Sequence, residues 1–237
     1  MNLLEVHLVS CAVSAQRTFY GEVLGLPVSE RAEGLLAVQV GRTRLSFSAT
    51  THQAGPYHLA FDVPEDRFAD AADWIRARAT PLSEDGQEGN QDTFVSQDWN
   101  AEMLYFTDPC GNILELIARH SLSAPETETQ PPERMGAFGA SQLLHVSEVG
   151  VAVTDVQRTL DHLRRTLGAG PYRENSATFS AAGTHDGLLI VVQEGRRWFP
   201  TVSAAAPLPT RIVARTARAG QVTLPLGPVQ ITGVLSP

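Results

Sequence analysis

The sequence predicts an α+β fold made of repeated strand–helix–strand–strand units. Residues 3–48 show this order of patterns, and the order then restarts. A later segment repeats the first without a gap: when Glu148 is set on Glu5, Gly168 falls on Gly25. Because such a repeat constrains the whole architecture, it is stronger evidence than any single strand assignment.

Composition and charge restrict the class of protein. The 237 residues suffice for one large or two small domains, and 43% hydrophobic with 19% charged residues is typical of a globular protein. The net charge of −8 argues against nucleic acid or an anionic membrane as a partner, since both require clustered basic residues. No apolar run approaches the roughly 18 residues of a membrane-spanning helix. The first residues lack the basic segment of a secretory signal. Cys11 and Cys110 lie far apart and form no Cys-x-x-Cys motif. Both observations predict a cytoplasmic protein with reduced thiols.

The first unit begins with a strand from Leu3 to Val9, in which alternation places Glu5 and His7 on one face. Ser14 is a candidate helix cap, and Gly25 is suited to end that helix. The other predicted strands of this unit are Leu35–Val40, Thr43–Ser48 and a short one near Pro27–Glu30.

The second unit repeats the order with different residues. His58 lies in a strand from Pro56 to Val63, and Pro64 opens a helix that reaches Ala77. A polar loop follows at 86–92, and the remaining short strands are predicted at 93–95 and 103–106.

This unit ends in a turn motif followed by an unusual charged residue. Asp108-Pro109 and then Gly111-Asn112 combine a fixed φ with residues that tolerate positive φ, which predicts a tight turn. The next residues read as a short buried strand that contains Glu115. A carboxylate there either faces water or is buried, and burial requires a charged partner or a metal ion.

The second half of the chain has the same pattern in shortened form. Residues 121–143 are rich in proline, glycine and polar residues and read as a linker. A third unit contains a helix capped by Asp155 and ended by Gly168, whereas a fourth unit has no predicted helix and is therefore truncated. The predicted strands of these two units are 148–153, 177–182, 187–193, 211–214, 221–224 and 229–234.

The repeated units and two motifs resemble the vicinal oxygen chelate superfamily, which includes glyoxalase I, fosfomycin-resistance transferases, extradiol dioxygenases and bleomycin-binding proteins. The motifs are His-x-Ala-Phe-x-Val at His58–Val63 and Asp-Pro-x-Gly-Asn-x-x-Glu-Leu at Asp108–Leu116. The resemblance implies tandem βαβββ modules that form open mixed-sheet barrels in pairs. It predicts a complete paired-module glyoxalase-like domain over 1–120, the linker 121–143 and a degenerate second domain over 144–237.

The resemblance also implies a divalent metal site in the first domain, since such barrels take ligands from the first and last strands of a pair of modules. By position the ligands are Glu5, His58 and Glu115, with His7 as an alternative to Glu5, because histidine is more usual at the first position. Glyoxalase I-like sites have a fourth protein ligand near the end of the first module. The corresponding strand here, Arg44–Ser48, contains no carboxylate or imidazole, so a three-ligand site of the fosfomycin-resistance type fits better. Glu5 and Glu115 are the candidate catalytic carboxylates.

The implied ligand set of one imidazole and two carboxylates suits Mn²⁺, Fe²⁺ or Zn²⁺ with coordination positions left open. The expected function is a metal-dependent lyase, isomerase or transferase acting on a small oxygen-rich metabolite. An extradiol-type Fe²⁺ dioxygenase is an alternative, and it requires His7 in place of Glu5 to supply two histidines. A metal-free protein that binds a small ligand is the other alternative. A homodimer is implied only by the pairing of barrel edges in similar proteins.

Residues of the second half provide no second ligand set. Glu148 keeps the first ligand position, but no matching histidine strand or terminal turn follows it, so a second metal site is not expected. The histidines there, His145, His162 and His185, have no metal-ligand spacing.

For two groups of aromatic residues the sequence is compatible with either a binding role or a structural role. Trp99 and Tyr105 either line a cleft or pack in the core. The segment Glu194–Pro200 contains two arginines and two aromatic residues, which could bind an anion or stack on a ring. The favoured interpretation is a solvated loop whose Trp198 seals a contact between domains.

Overall fold

The computed structural model describes residues 1–31, 34–52, 55–83, 91–120, 136–173, 176–224 and 229–235. Most of the predicted linker 121–143 and most of the predicted loop 86–92 lie outside the described residues. The strands are β1 (Asn2–Ser10), β2 (Val28–Arg31), β3 (Leu35–Val40), β4 (Thr43–Ala49), β5 (His58–Asp62), β6 (Thr93–Ser96), β7 (Ala101–Thr107), β8 (Ile113–Arg119), β9 (His145–Val153), β10 (Phe179–Thr184), β11 (Gly187–Gln193), β12 (Thr210–Arg215), β13 (Gly220–Thr223) and β14 (Val229–Val234). The helices are α1 (Val13–Arg17), continued by a π-helical turn at Thr18–Val23, α2 (Phe68–Arg76), preceded by a 3₁₀ turn at Glu65–Arg67, and α3 (Val156–Leu167).

These elements form four successive units in the predicted order. The first unit contains β1–β4 with α1, the second β5–β8 with α2, and the third β9–β11 with α3. The fourth unit, β12–β14, contains no helix within its described residues. The predicted α+β class and the repeat are therefore confirmed.

The units combine into two mixed sheets of seven strands each. The first sheet has the order β13-β14-β12-β1-β4-β3-β2, and the second β10-β11-β9-β5-β8-β7-β6. At the centre of each sheet the first strands of two units lie side by side and antiparallel, β1 with β12 and β5 with β9. The first sheet is thus built from units one and four, and the second from units two and three.

This pairing differs from the predicted division into a complete domain over 1–120 and a second domain over 144–237. Each sheet contains strands from both of these segments. The first strands of all units carry similar patterns, so the sequence of one unit does not specify which other unit it pairs with. The boundaries of the units followed from local patterns, whereas their pairing depends on contacts between distant segments.

The ends of two helices illustrate how local sequence determines the units. Asp155 caps α3 as predicted, since its Oδ1 accepts a hydrogen bond from the backbone N–H of Arg158 at 2.9 Å, and Gly168 ends the helix at a φ of 72°. The predicted cap at Ser14 is wrong. Helix α1 begins at Val13, and the residue before it, Ala12, makes no side-chain capping bond.

The second sheet has two differently packed faces because side chains alternate along its strands. One face contributes Leu59 and Phe61 to a large hydrophobic core shared with the first sheet, where it meets Leu3 and Phe47. The opposite face carries a smaller cluster that includes Ile113, Ile117, Ile190 and Trp198. No helix of the described part of the chain is both long and apolar enough to cross a membrane.

Candidate metal centre

The candidate site lies on the smaller-cluster face of the second sheet, where three neighbouring strands meet. The central strand β5 pairs with β8 on one side and β9 on the other, so that Ala60 lies between Glu115 and Glu148. His58 precedes Ala60 by two residues and therefore points to the same face. The small side chain of Ala60 leaves the space between the two carboxylates open.

The three side chains converge although they are distant in sequence. His58 Nε2 lies 3.5 Å from Glu115 Oε2 and 3.8 Å from Glu148 Oε2, and one ligand atom of each residue lies within 4.8 Å of the others. All three residues are buried, with exposures of 6%, 3% and 4% for His58, Glu115 and Glu148. Two carboxylates and an imidazole are thus enclosed at one point.

A buried arginine holds one of these carboxylates. Arg119 in β8 donates to Oδ1 of Asp62 at 2.7 Å, to Oγ of Ser147 at 3.2 Å and to Oε1 of Glu148. These bonds occupy one oxygen of Glu148 and leave Oε2 facing His58. The orientation of Glu148 is therefore fixed from the side away from the imidazole.

The carboxylates differ in their tendency to ionise. Burial, and next the charge of Glu148, raise the pKa of Glu115 well above its usual value. Burial also disfavours the charge of Glu148, but His58 and Arg119 stabilise that charge and hold the pKa of Glu148 below its usual value. Burial raises the pKa of Asp62 to about 6 despite its ion pair with Arg119.

These residues fit a divalent cation. When ionised, the carboxylates of Asp62, Glu115 and Glu148 give this buried group three negative charges against the single positive charge of Arg119, and a divalent cation would balance the excess. Metal–ligand bonds of about 2.0–2.2 Å place ligand atoms roughly 3–4 Å apart, which matches the separations from Nε2 of His58. These separations are also too long for hydrogen bonds, and Nδ1 of His58 is buried without a partner among the described residues.

The structure brings together two of the residues expected from the sequence and separates the others. His58 and Glu115 meet, as the resemblance implied. Glu5 lies in β1 of the first sheet and is exposed. His7 lies in the same strand, where its ring nitrogens contact Ser46 Oγ at 3.1 Å and Ser48 Oγ at 3.2 Å. Neither residue belongs to the group around His58, because β1 pairs with β12 and β4 rather than with the strands of the second unit.

Glu148 occupies the place expected for Glu5. The sequence contained the signal for this residue, since the gapless repeat sets Glu148 on Glu5. The sequence did not show that the second unit pairs with the third. Because of this pairing, β9, the first strand of the third unit, lies beside β5 and supplies Glu148 as the ligand.

A cavity of about 590 Å³ opens over the three residues. Its walls contain aromatic side chains from both halves of the chain, and its floor includes His58, Glu115 and Glu148. The ring of Trp198 stacks on the imidazole of His58 with centroids 5.2 Å apart. The predicted aromatic residues Trp99 and Tyr105 also line this cavity.

The turn motif before Glu115 has a structural role. Asp108 Oδ1 accepts from the backbone N–H groups of Cys110 and Asn112 at 2.9 and 3.1 Å, and its Oδ2 accepts from Gln16 Nε2 at 2.7 Å. Gly111 has a φ of 75°, as the turn signal predicted. The motif thus fixes the start of β8 and with it the register of Glu115 against β5.

Comparisons with known proteins agree with this architecture. Residues 8–117 match the glyoxalase-like domain family. Two solved structures align with 98% of this chain at 13% identity: a putative dioxygenase from Bacillus subtilis, with a TM-score of 0.61 over 85% of its own chain, and a glyoxalase I mutant from Zea mays, with a TM-score of 0.55 over 92%. A lactoylglutathione lyase from Agrobacterium tumefaciens aligns with 49% of this chain and 92% of its own, at 18% identity and a TM-score of 0.41. No curated protein matches the sequence.

The two full-length similarities extend over both halves and therefore include both sheets. At 13% identity they establish the fold, whereas the activity depends on the residues of the site. Residues 8–117 are thus similar to the glyoxalase-like domain family, and the whole chain shares the fold of a putative dioxygenase and of a glyoxalase I, as its motifs predicted.

Proposed function

We propose that the protein is a metal-dependent enzyme of the glyoxalase or fosfomycin-resistance type, a lyase, isomerase or transferase. His58, Glu115 and Glu148 would hold the divalent ion, and a small oxygen-rich molecule would bind in the cavity above them. The observation that carries this proposal is the convergence of three buried ligand atoms within 4.8 Å at the floor of an open cavity. When bound, the metal would supply a Lewis acid that stabilises negative charge developing on substrate oxygen.

The residues around the metal have separate roles in this proposal. Glu115 is the candidate catalytic carboxylate, because it lies at the floor of the cavity and, once ionised by metal binding, can accept a proton from a bound molecule. Arg119 orients Glu148 through its hydrogen bond to Oε1. The surrounding aromatic side chains limit the access of water to the floor of the cavity.

The ligand set favours this proposal over an extradiol-type dioxygenase. That chemistry prefers two histidines and one carboxylate on iron. The group described here has one histidine and two carboxylates, and His7, which was the second candidate histidine, lies in the other sheet. A metal-free binding protein would gain nothing from enclosing two carboxylates beside an imidazole.

Metal analysis of the purified protein tests the proposal. Each of the variants His58→Ala, Glu115→Ala and Glu148→Ala should lose at least tenfold in affinity for Mn²⁺, Fe²⁺ or Zn²⁺, since each removes one of three protein ligands. Glu5→Ala is the matched control, because this exposed carboxylate lies on the first strand of the other sheet. Far-UV circular dichroism of all four variants should remain that of the wild type.

Three results would argue against the proposal. If the wild type retains no metal under any loading condition, the chain is a binding protein. If Glu5→Ala loses the metal while Glu148→Ala keeps it, the ligand set is the one expected from the sequence. Near-stoichiometric iron together with oxygen uptake on catechols would identify a dioxygenase.

A further inference from the structure

We infer that the cavity recognises an aromatic molecule with an anionic substituent, and that Arg196 binds that substituent. This inference rests on the proposed function, because it names the substrate class of the same cavity. It also gives a role to Glu194–Pro200, the segment that the sequence left with two interpretations. Three features of the cavity support it: the aromatic side chains of the walls, the position of this segment, and a guanidinium that forms no ion pair among the described residues.

The cavity walls contain several aromatic rings beside the apolar side chains of Val95, Met103, Ile117 and Ile190. Phe94, Tyr105 and Phe199 pack edge to face, with centroids 5.6 Å apart for Phe94–Tyr105, 5.0 Å for Phe94–Phe199 and 5.4 Å for Tyr105–Phe199. Phe199 remains 43% exposed, so this ring leaves apolar surface uncovered. Such a group offers ring edges and faces to a planar ligand, for which aromatic contacts contribute beyond the buried area.

The segment Glu194–Pro200 forms one wall of the cavity. Trp198 is buried against His58, and Phe199 contacts the rings of the second unit. Gly150 in β9 makes this placement possible, since a Cβ atom there would lie 2.6 Å from Trp198. A segment from the second half of the chain thus completes a site whose expected ligands lay in the first half.

Arg196 supplies the cation of this wall. Its guanidinium lies 5.0 Å from the centroid of the Phe179 ring, and its Nη1 donates to the backbone carbonyl of Arg197 at 3.2 Å. No carboxylate among the described residues forms an ion pair with Arg196. It is also the one arginine among the described residues that line the cavity. Its remaining N–H groups are therefore available to an anionic group of a ligand, which they can bind through charge-assisted hydrogen bonds.

The neighbouring Arg197 provides an internal control. It carries the same side chain and is also exposed, but it does not line the cavity, and its backbone pairs with Ala204. A general attraction of anions to this loop would depend on both arginines, whereas recognition inside the cavity depends on Arg196 alone.

The test uses full-length, metal-free protein and two probes that differ in charge, 2-naphthoate and 2-naphthamide. Without metal, the carboxylate of 2-naphthoate cannot bind to an ion at the floor of the cavity. Calorimetry should show that the wild type binds 2-naphthoate about fivefold more tightly than 2-naphthamide, as expected for a partly exposed charge pair. Arg196→Gln should remove that difference, and Arg197→Gln should keep it.

A second comparison tests the aromatic walls. Decahydronaphthalene-2-carboxylate has the same charge as 2-naphthoate but no π-system, and it should bind at least threefold more weakly. Phe199→Leu should reduce this preference and leave the preference for charge intact.

The inference is overturned if 2-naphthoate and 2-naphthamide bind equally, if Arg197→Gln acts as strongly as Arg196→Gln, or if the saturated probe binds as well as the aromatic one. Failure of the proposed function is a separate result. A wild type that binds no metal but still prefers 2-naphthoate through Arg196 would reject the enzyme and retain this recognition site.

Discussion

Glu115 and Glu148 are equally buried carboxylates, yet their pKa values move in opposite directions. The difference follows from His58 and Arg119, which both stabilise the charge of Glu148; Arg119 donates a hydrogen bond to Glu148 and none to Glu115. The ion pair stabilises the charge of Glu148, and that charge in turn disfavours ionisation of Glu115. Without metal, the surroundings therefore favour the charged form of Glu148 and the protonated form of Glu115.

Metal binding should release a proton from Glu115. Because its pKa is raised, Glu115 is protonated below that pKa, and a metal ion must displace the proton in order to bind. The apparent affinity for Zn²⁺ should fall by about tenfold for each pH unit below the raised pKa. Calorimetry in two buffers with different ionisation enthalpies measures the number of protons released. Glu115→Gln should abolish the release, and an unchanged proton count in this variant would refute the assignment.

Gly150 allows Trp198 to stack on His58. A Cβ atom at position 150 would lie 2.6 and 2.9 Å from two carbons of Trp198 and 3.0 Å from Cβ of His58. We expect Gly150→Ala to displace the indole, to destabilise the fold by about 1–3 kcal/mol and to weaken metal retention. Urea unfolding and tryptophan fluorescence measure these effects. Gly139→Ala is the control, since a Cβ atom there meets no other atom within 4 Å. Equal stability of the two variants would contradict the predicted clash.

At the scale of elements, the turn between β7 and β8 connects the site to the first unit. Asp108 receives hydrogen bonds from the turn itself and from Gln16 in α1, while Tyr57 N donates to Oδ1 of Asn112. The turn residues Asp108–Asn112 of the motif that identified the fold therefore hold the start of β8 in place, whereas Glu115 of the same motif belongs to the candidate metal site. The effect of the turn on chemistry is indirect, because it sets the register of β8 against β5.

Replacing Asp108 should separate this structural role from metal binding. Asp108→Ala leaves the donors of Cys110, Asn112 and Gln16 without their acceptor, and we expect a loss of roughly 3 kcal/mol in the free energy of unfolding. Asp108→Asn retains one acceptor oxygen and should lose less. Urea unfolding measures both. If Asp108→Ala were as stable as wild type, the turn would not depend on this side chain.

At the scale of the whole molecule, local sequence patterns predicted the units but not their pairing. The strand at 229–234 was predicted with the bounds that the structure shows, and the repeat identified Glu148 as the equivalent of Glu5. Which of these two carboxylates joins His58 depends on whether β5 pairs with β1 or with β9. That choice is made by burial and packing between distant segments, for which the sequence of a single strand carries no signal.

The walls of the cavity could not be predicted from the sequence for the same reason, since they depend on which units pair. Arginine and aromatic side chains in Glu194–Pro200 were recognised in the sequence, but their neighbours Phe94, Tyr105 and Phe179 come from other strands of the second sheet. Only the arrangement of units two and three in one sheet places them around a common space.

The two sheets are also linked by a charged group around a buried histidine. Arg42, in the turn between β3 and β4, donates to Asp186 Oδ1 at 2.7 Å, and its Nη2 lies 3.1 Å from Nε2 of His145. Since arginine only donates, this nitrogen of His145 must be unprotonated. Burial, and next the charge of Arg42, lower the pKa of His145 to about 3.

This histidine should make the contact between the sheets sensitive to acid. In the unfolded chain the pKa of His145 is about 6.5. The part of the free energy of unfolding that depends on neutral His145 is therefore fully present above pH 6.5. It decreases as the pH falls towards 3, where the folded state also accepts the proton. Between pH 7.5 and 4.5 the loss from this residue is about 2–3 kcal/mol. His145→Gln keeps an acceptor for Arg42 without a titrating group, and urea unfolding at the two pH values should show a smaller decrease than in wild type. His162→Gln, on the exposed face of α3, is the matched control and should decrease like wild type. If both variants lose the same stability on acidification, His145 does not control the acid response.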